Sequence, residues 1–243
     1  MKGLVLAAGP GRRLHPLTAG LPKTLLTLDD GRTILDLALA NLSAVGLRDV
    51  VVVTGFAAAR VEEQAADLER RHGVRLELLF NERAEEWNNA YSLWLAREAL
   101  AEGVLLVNGD TVHPRRVEEI LLAAAGPDLL LAVDEEKELG DEAMKVLLSE
   151  DGALRRINKQ IDPVLAAGEY IGVARIEPAV AAPLADALEA TWRRDPSLYY
   201  EDGFQELADR GVRIDTASIG VVDWVEVDNH ADLARARELA FPS

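Results

Sequence analysis

Acidic side chains at two well-separated places, with a short string of cations near the start, are the residues of this sequence best equipped for chemistry. Asp110 ends the string Asn108-Gly109-Asp110, directly after the apolar run Val104–Val107. Glu226 and Asp228 hold alternate positions in Trp224-Val225-Glu226-Val227-Asp228, so in a strand both carboxylates point to one face. Neighbouring carboxylates repel unless a cation or a proton lies between them. An oxygen-only set of three suits Mg²⁺, which takes carboxylates and substrate phosphates and retains water. An Asp in the turn after a strand serves equally as a capping or turn residue, so Asp110 alone decides nothing.

The cations begin in Ala7-Ala8-Gly9-Pro10-Gly11-Arg12-Arg13, a loop of small residues that follows the buried-strand pattern Leu4-Val5-Leu6. Small side chains let a ligand approach the main chain, and loop N–H groups with two guanidinium groups make a seat for a polyanion. Leu21-Pro22-Lys23 then sets a rigid turn before a lysine. As a bare Gly-x-Gly string the loop reads equally as a strand followed by a tight turn. It is neither a Walker A loop nor a Gly-x-Gly-x-x-Gly dinucleotide fingerprint, which makes a dinucleotide-dependent oxidoreductase improbable.

These residues need a scaffold, and the pattern supplies one. Strands are predicted at Leu4–Leu6, Val50–Val53, Leu76–Phe80, Val104–Val107 and Leu129–Val133, separated by helices at Thr33–Val45, Ala57–Arg71, Asn89–Ala101 and Arg115–Ala125. Such alternation implies βαβ units in an α/β, Rossmann-like, largely parallel sheet with helices on both faces. Ligands then sit beyond the C-terminal strand ends, where the opening loop, Asn81-Glu82 and Asn108-Gly109-Asp110 all fall. The second half predicts a hairpin (Met144–Leu148, Leu154–Ile157), a strand Glu169–Ile176 and helices at Pro178–Arg193 and Asp202–Arg210. Strands Arg213–Ala217 and Trp224–Val227 and a helix Ala231–Ala240 close the chain. We read residues 1–243 as one domain, with a first half at 1–135 and a second at 136–243 that forms a smaller lobe laid against the sheet.

Composition narrows the function classes. The chain has 243 residues, 49% hydrophobic, and a formal charge of −16, which argues against a nucleic-acid surface. An anionic substrate must therefore be drawn in by local cations and metal. There is no cysteine, hence no disulfide and no thiol nucleophile. No apolar run approaches the ~18 residues of a membrane span, and only Lys2 precedes the first strand, so neither anchor nor signal peptide is expected and the expected location is cytoplasmic. Of the 26 basic residues only Lys2, Lys23, Lys137, Lys145 and Lys159 are lysine. Against that arginine background each lysine is worth separate consideration, although Lys137, inside Asp134-Glu-Glu-Lys-Glu138, reads as a solvated charge.

Leu6-Ala7-Ala8-Gly9-x-Gly11-x-Arg13-Leu14, followed by Pro22-Lys23, resembles the signature of the sugar-phosphate nucleotidyltransferase superfamily. The resemblance implies a metal-bound nucleoside triphosphate whose α-phosphorus is attacked by an acceptor phosphate, with pyrophosphate leaving. An ionised phosphate needs no general base, in keeping with four histidines and no Ser-His-Asp grouping. It also implies Asp110 with the acidic pair Glu226 and Asp228 on Mg²⁺, and Arg13 and Lys23 on the triphosphate. The same resemblance implies a nucleotide-binding role for residues 1–135 and an acceptor-binding, metal-completing role for residues 136–243. Lys145 or Lys159 would hold the acceptor phosphate or α-phosphate, although either serves equally as a solubilising charge at a strand edge.

Glu86-Trp87-Asn88-Asn89-Ala90-Tyr91-Ser92-Leu93-Trp94, with Gly168-Glu169-Tyr170-Ile171-Gly172 and Tyr199-Tyr200-Glu201-Asp202, looks like the phosphocholine cytidylyltransferase-like branch. That branch implies CTP and a small phosphorylated alcohol or a phosphonate. Nucleotide contacts would then come from Leu6, Ala7, Ala8, Gly9, Gly11, Arg12, Asn81, Asn88, Asn89, Ser92 and Gly109. Glu169, Tyr199, Tyr200, Glu201 and Asp202 are the acceptor candidates, with Trp87 or Trp94 as further faces of a cation cage; packing alone explains any single one of them. Asn88 or Asn89 is equally a helix N-cap. The rivals are a hexose-, heptose- or inositol-phosphate nucleotidyltransferase using CTP or another NTP, and a nucleotide-sensing domain without turnover. A homodimer is compatible with the sequence.

Overall fold

The computed structural model describes residues 1–28 and 31–239. The first half runs β1 (Lys2–Leu6), α1 (Ile34–Ala44), β2 (Asp49–Thr54), α2 (Ala59–His72), β3 (Arg75–Phe80), α3 (Asn89–Leu95), α4 (Arg97–Leu100), β4 (Val104–Asn108), β5 (Thr111–Val112), α5 (Arg116–Ala123) and β6 (Leu129–Asp134). The second half adds β7 (Lys145–Leu148), β8 (Leu154–Asn158), β9 (Gly168–Ile176), α6 (Ala181–Arg194), α7 (Tyr200–Asp209), β10 (Asp215–Ser218), β11 (Val225–Glu226) and α8 (His230–Glu238). The predicted elements keep their types, the short strand β5 is an element the sequence reading did not have, and the boundaries moved where a residue had another partner. The predicted helix Asn89–Ala101 is two helices, because the Ala96 N–H bonds back to Leu93 and tightens the chain there. The predicted strand Arg213–Ala217 starts two residues late, since Ile214 O accepts from Leu154 N of the hairpin instead. The end of the predicted closing helix, Ala240, lies outside the described residues.

A nine-stranded mixed sheet forms the centre, in the order β10-β6-β9-β4-β1-β2-β3 with the β7–β8 hairpin attached through β9. Strands β1, β2, β3 and β4 are parallel, whereas β9 runs antiparallel between β4 and β6. The two halves of the chain thus interleave in one sheet. Strand β9 is buried along its whole length, since it has a neighbour on each edge and a core on each face. One core, around Leu4, Leu93, Leu106 and Phe204, carries α3, α6 and α7; the other, around Val5, Leu39, Val52 and Val107, carries α1, α2 and α5. The chain leaves β1 for β2 on one side and returns to β4 on the other, so the ends of β1 and β4 form a switch point where a crevice opens.

A buried ion network joins two of these helices. Asp36 closes the capping box of α1, accepting from the Thr33 N–H and hydroxyl at 3.0 and 2.8 Å. Its other oxygen meets His72 Nε2 at 2.7 Å and Arg71 Nη1 at 2.8 Å. Burial would raise this carboxyl; the bonds to His72 and Thr33 and the Arg71 charge outweigh it and hold the pKa down at about 2. A depressed carboxyl contributes stability above its unfolded value, 3.8, and loses it as pH falls through about 2. Asp36→Asn is therefore expected to cost roughly 2 kcal/mol near neutral pH. In urea unfolding, the gap between variant and wild type should close only in strong acid.

Candidate active site

The opening loop emerges from β1 at the switch point. Ala7 N bonds to Val53 O at 2.8 Å and Ala8 O accepts from Phe56 N at 3.0 Å, so neighbouring strand ends hold its first turn. Gly11 stands at φ +59°, and a Cβ there would lie 3.0 Å from Lys23 Cβ. A glycine is needed for both reasons. Thr18 Oγ1 donates to Gly11 O at 2.8 Å and fixes the far side of the loop. Gly109 packs directly on β1, where a Cβ would meet Leu6 O at 2.5 Å. That close contact brings the Asp110 turn up against the loop.

The acidic residues meet because β5 and β11 form their own antiparallel pair, with Glu226 opposite Thr111. Val227 N donates to Asp110 O at 2.9 Å and closes the junction. Val225 and Val227 point into a third core with Leu14, Leu26, Val112 and Leu233, so Glu226 and Asp228 face the opposite way, into the crevice. Carboxylate oxygens of Asp110, Glu226 and Asp228 lie within 4.8 Å of one another. Lys23 Nζ sits against them, 2.7 Å from Asp110 Oδ2 and 3.0 Å from Asp228 Oδ1, and Arg13 Nη2 is 2.6 Å from Asp228 Oδ2.

Electrostatics follow that geometry. Burial opposes the Lys23 charge, but Asp110 and Asp228 more than compensate and raise its pKa. Burial likewise opposes ionisation of Asp228; Lys23 and Arg13 prevail and lower it. The Glu226 side chain is open to the crevice at its surface yet crowded by protein around it. Loss of solvation, then the charges of Asp110 and Asp228, push its carboxyl up to about 8. Two of the three carboxylates, Asp110 and Asp228, already hold an ammonium, and the third, Glu226, is disfavoured as an anion by both of them. This donor set fits a hard divalent cation, for which Asp110, Glu226 and Asp228 would be the ligands.

The crevice has a volume of about 410 Å³ and runs from this cluster to the second-half lobe. Leu6, Ala8, Gly9, Gly11, Arg12, Arg13, Lys23, Asn88, Asn89 and Ser92 line it, as the sequence reading expected. Both asparagines also tie the crevice wall to the lobe. Asn88 caps α3 and donates to Ser197 O at 2.9 Å, and Asn89 Oδ1 accepts from Tyr200 N at 2.9 Å. Three expected nucleotide contacts are not in the wall. Ala7 turns into the core, Gly109 is packed on β1, and Asn81 is buried, donating to Ser92 Oγ at 2.8 Å from behind.

On the acceptor side Lys159, Tyr199 and Glu201 line the crevice. Lys159 Nζ pairs with Glu142 at 3.0 Å and lies over the Tyr199 ring, 5.4 Å from its centroid. Glu201 is buried, its Oε2 has no hydrogen-bond partner, and burial pushes its carboxyl up to about 8. The other four acceptor candidates do not line the crevice. Lys145 is 1% exposed and donates to the carbonyls of Lys159 (2.8 Å), Asp141 (3.3 Å) and Ala143 (3.3 Å), so its ammonium is turned inward. Glu169 pairs with Lys137 at 3.0 Å outside the crevice. Lys137 also lies on the Trp224 ring, so it is not the merely solvated charge the sequence suggested. Tyr200 is fully buried, its hydroxyl bonding Asn108 and Tyr170, and Asp202 accepts from Tyr199 N to cap α7. Trp87 and Trp94 pack with Tyr91 and Trp192 at centroid distances of 5.0–5.6 Å and do not line the crevice.

Glu142, Met144, Tyr170 and Gly172 line the crevice without having been expected there, and Asn108 lines it at the strand end where the sequence reading put ligands. Met144 and Tyr170 fell inside or beside predicted strands, and a strand end at the switch point was the available signal. Glu142 lies in a loop with nothing in its composition to mark it.

Residues 2–129, more than half of the chain, match the family model described as nucleotidyl transferase. Choline-phosphate cytidylyltransferase of Streptococcus pneumoniae (strain ATCC BAA-255 / R6) is 34% identical over 106 residues, covering 44% of this chain and 43% of that protein. CMP-5'-(3-aminopropyl)phosphonate synthase of Streptomyces rubellomurinus (strain ATCC 31215) is 30% identical over 247 residues, covering 97% of this chain and 38% of that protein. The chain therefore spans less than half the length of these two curated relatives. Among solved structures, the inositol-1-phosphate CTP transferase from T. maritima superposes with a TM-score of 0.82 at 23% identity, covering 100% of this chain and 98% of the other. The CTP:phosphocholine cytidylyltransferase from Streptococcus pneumoniae gives 0.71 at 19%, covering 98% and 97%. At those identities the superpositions establish a shared fold, and together with the match over residues 2–129 they mean that this chain belongs to the nucleotidyl transferase family.

Proposed function

We propose that this chain transfers a cytidylyl group from CTP to a phosphate or phosphonate oxygen of a small acceptor, releasing pyrophosphate. The observation that carries the reading is that one crevice is lined by two sets of groups: Arg13, Lys23 and the three carboxylates, and Lys159, Tyr199 and Glu201, whose Oε2 has no hydrogen-bond partner. The triphosphate lies along Gly9–Arg13, with Arg13 and Lys23 on its oxygens. The acceptor's ionised oxygen forms a bond to the α-phosphorus while the bond to the bridging oxygen of pyrophosphate breaks, so no proton must be removed. A bound Mg²⁺ would neutralise phosphate charge at Asp110, Glu226 and Asp228. The chain's own groups supply alignment and local positive charge.

Cytidine is favoured over the other bases because the phosphonate synthase match extends along 97% of this chain. In the second set, Lys159 takes the phosphate, and Glu201 and Tyr199 face whatever lies beyond it. A cationic tail would draw the proton from the buried Glu201 carboxyl, and the resulting carboxylate with the Tyr199 face suits such a tail. The test is a pyrophosphate-release screen of the four NTPs against phosphocholine, aminoalkylphosphonates, inositol phosphate and hexose 1-phosphates. Turnover is expected with CTP and a cationic acceptor, abolished by EDTA and restored by Mg²⁺. Turnover confined to a hexose 1-phosphate with another NTP would overturn it.

A further inference from the structure

The crevice is not an open acidic trap. Lys23 Nζ bridges Asp110 and Asp228 at 2.7 and 3.0 Å, and Arg13 holds the second oxygen of Asp228 at 2.6 Å. Lys23 has little room to leave. Its side chain is 13% exposed, and its stem packs where a Cβ on Gly11 would stand, at 3.0 Å. Pro22 sets the turn that begins at Lys23, and Leu25 N bonds back to Pro22 O at 2.9 Å, so the backbone beneath the lysine is fixed. A divalent ion arriving alone would have to share two carboxylates with an ammonium, or drive that ammonium off with no anion to receive it. Like charges at such separations repel strongly when water is scarce.

We infer that Lys23 bars the divalent cation from the empty crevice, and that the metal enters only with a triphosphate, which takes the ammonium from Asp110 and Asp228. The exchange is balanced in charge. Phosphate oxygens replace carboxylates as partners of Lys23 and Arg13, and the freed carboxylates receive the metal. Because coupling between two ligands is reciprocal, the metal must strengthen triphosphate binding by the same factor. The lysine thereby acts twice, as a phosphate contact once nucleotide is present and as a counter-ion that excludes stray metal before it. This rests on the reading of Asp110, Glu226 and Asp228 as metal ligands.

Direct Mn²⁺ binding, read by the loss of the free-ion paramagnetic resonance signal, tests it without turnover. Nucleotide-free wild type should bind Mn²⁺ weakly. Lys23→Met should gain one site at least ~tenfold tighter, and Asp110→Asn in that background should lose it again. Wild type with a non-transferable α,β-methylene nucleoside triphosphate, its base tried as A, C, G and U, should hold the ion with a spectrum distinct from the free nucleotide complex. Nucleotide-free wild type binding as tightly as Lys23→Met would overturn the inference. So would a folded Lys23→Met that gains nothing while the wild-type ternary complex forms, and in that case the metal reading itself survives. Mn²⁺ held by the protein in no arm would remove the metal reading, and this inference with it. The wild-type arms need no variant: nucleotide-free wild type that binds Mn²⁺ as tightly as the wild-type ternary complex would overturn the inference even if Lys23→Met folds poorly.

Discussion

Asp110→Asn is expected to lower kcat/KM for pyrophosphate release by about 10³-fold, roughly 4 kcal/mol of transition-state stabilisation, while the melting temperature moves by only a few degrees. The two effects separate because the residue's structural and chemical contacts are separate. Its backbone carbonyl accepts from Val227 N at 2.9 Å and locks β5 to β11, and asparagine keeps that bond. Its carboxylate faces Lys23 and lies within 4.8 Å of oxygens from Glu226 and Asp228, and asparagine removes the charge there. A neutral amide is a poor partner for Mg²⁺ and leaves the lysine with one carboxylate. Near-normal turnover of a folded Asp110→Asn protein with Mg²⁺ would take the acidic cluster out of the mechanism.

Lys145→Met should do the reverse, costing stability and leaving the chemistry of the folded fraction largely intact. The ammonium is 1% exposed and donates to three backbone carbonyls, two from the segment leading into β7 and one from Lys159 just beyond β8. Methionine fills much the same volume but leaves three carbonyls, that of Ala143 buried and those of Asp141 and Lys159 partly so, without this donor. Each unpaired acceptor costs about 1–3 kcal/mol, and with relaxation the sum should be roughly 3–5 kcal/mol. The loss should appear as a lower urea midpoint with an unchanged m-value. A variant as stable as wild type, but without turnover, would return Lys145 to the reacting groups. The same contacts explain its position: the ammonium closes the base of the hairpin whose end presents Lys159 to the crevice.

The parts of this protein legible in the sequence are those with local causes. Leu4–Leu6 and Val50–Val53 read as buried strands because a run of apolar side chains has few other places to go, and the helices between them follow from apolar spacing. The opening loop was legible because Gly9, Gly11 and Arg13 stand close together in the chain, so their spacing is itself the geometry. The acid pair was legible too: alternation in a strand puts Glu226 and Asp228 on one side wherever the strand goes.

Only the tertiary structure decided what lies far apart in sequence. Insertion of β9 between β4 and β6 depends on edge pairing across some 40 to 70 residues, for which no local propensity exists. The lysines show the limit most clearly. Lys145 and Lys159 are alike in type and both lie at the hairpin, yet one ammonium is turned in to three carbonyls and the other faces Glu142 and the crevice. A side chain's composition states what it can bind. Which partner it meets is set by register, burial and the competition of other groups for the same space, and those exist only once the chain has closed on itself.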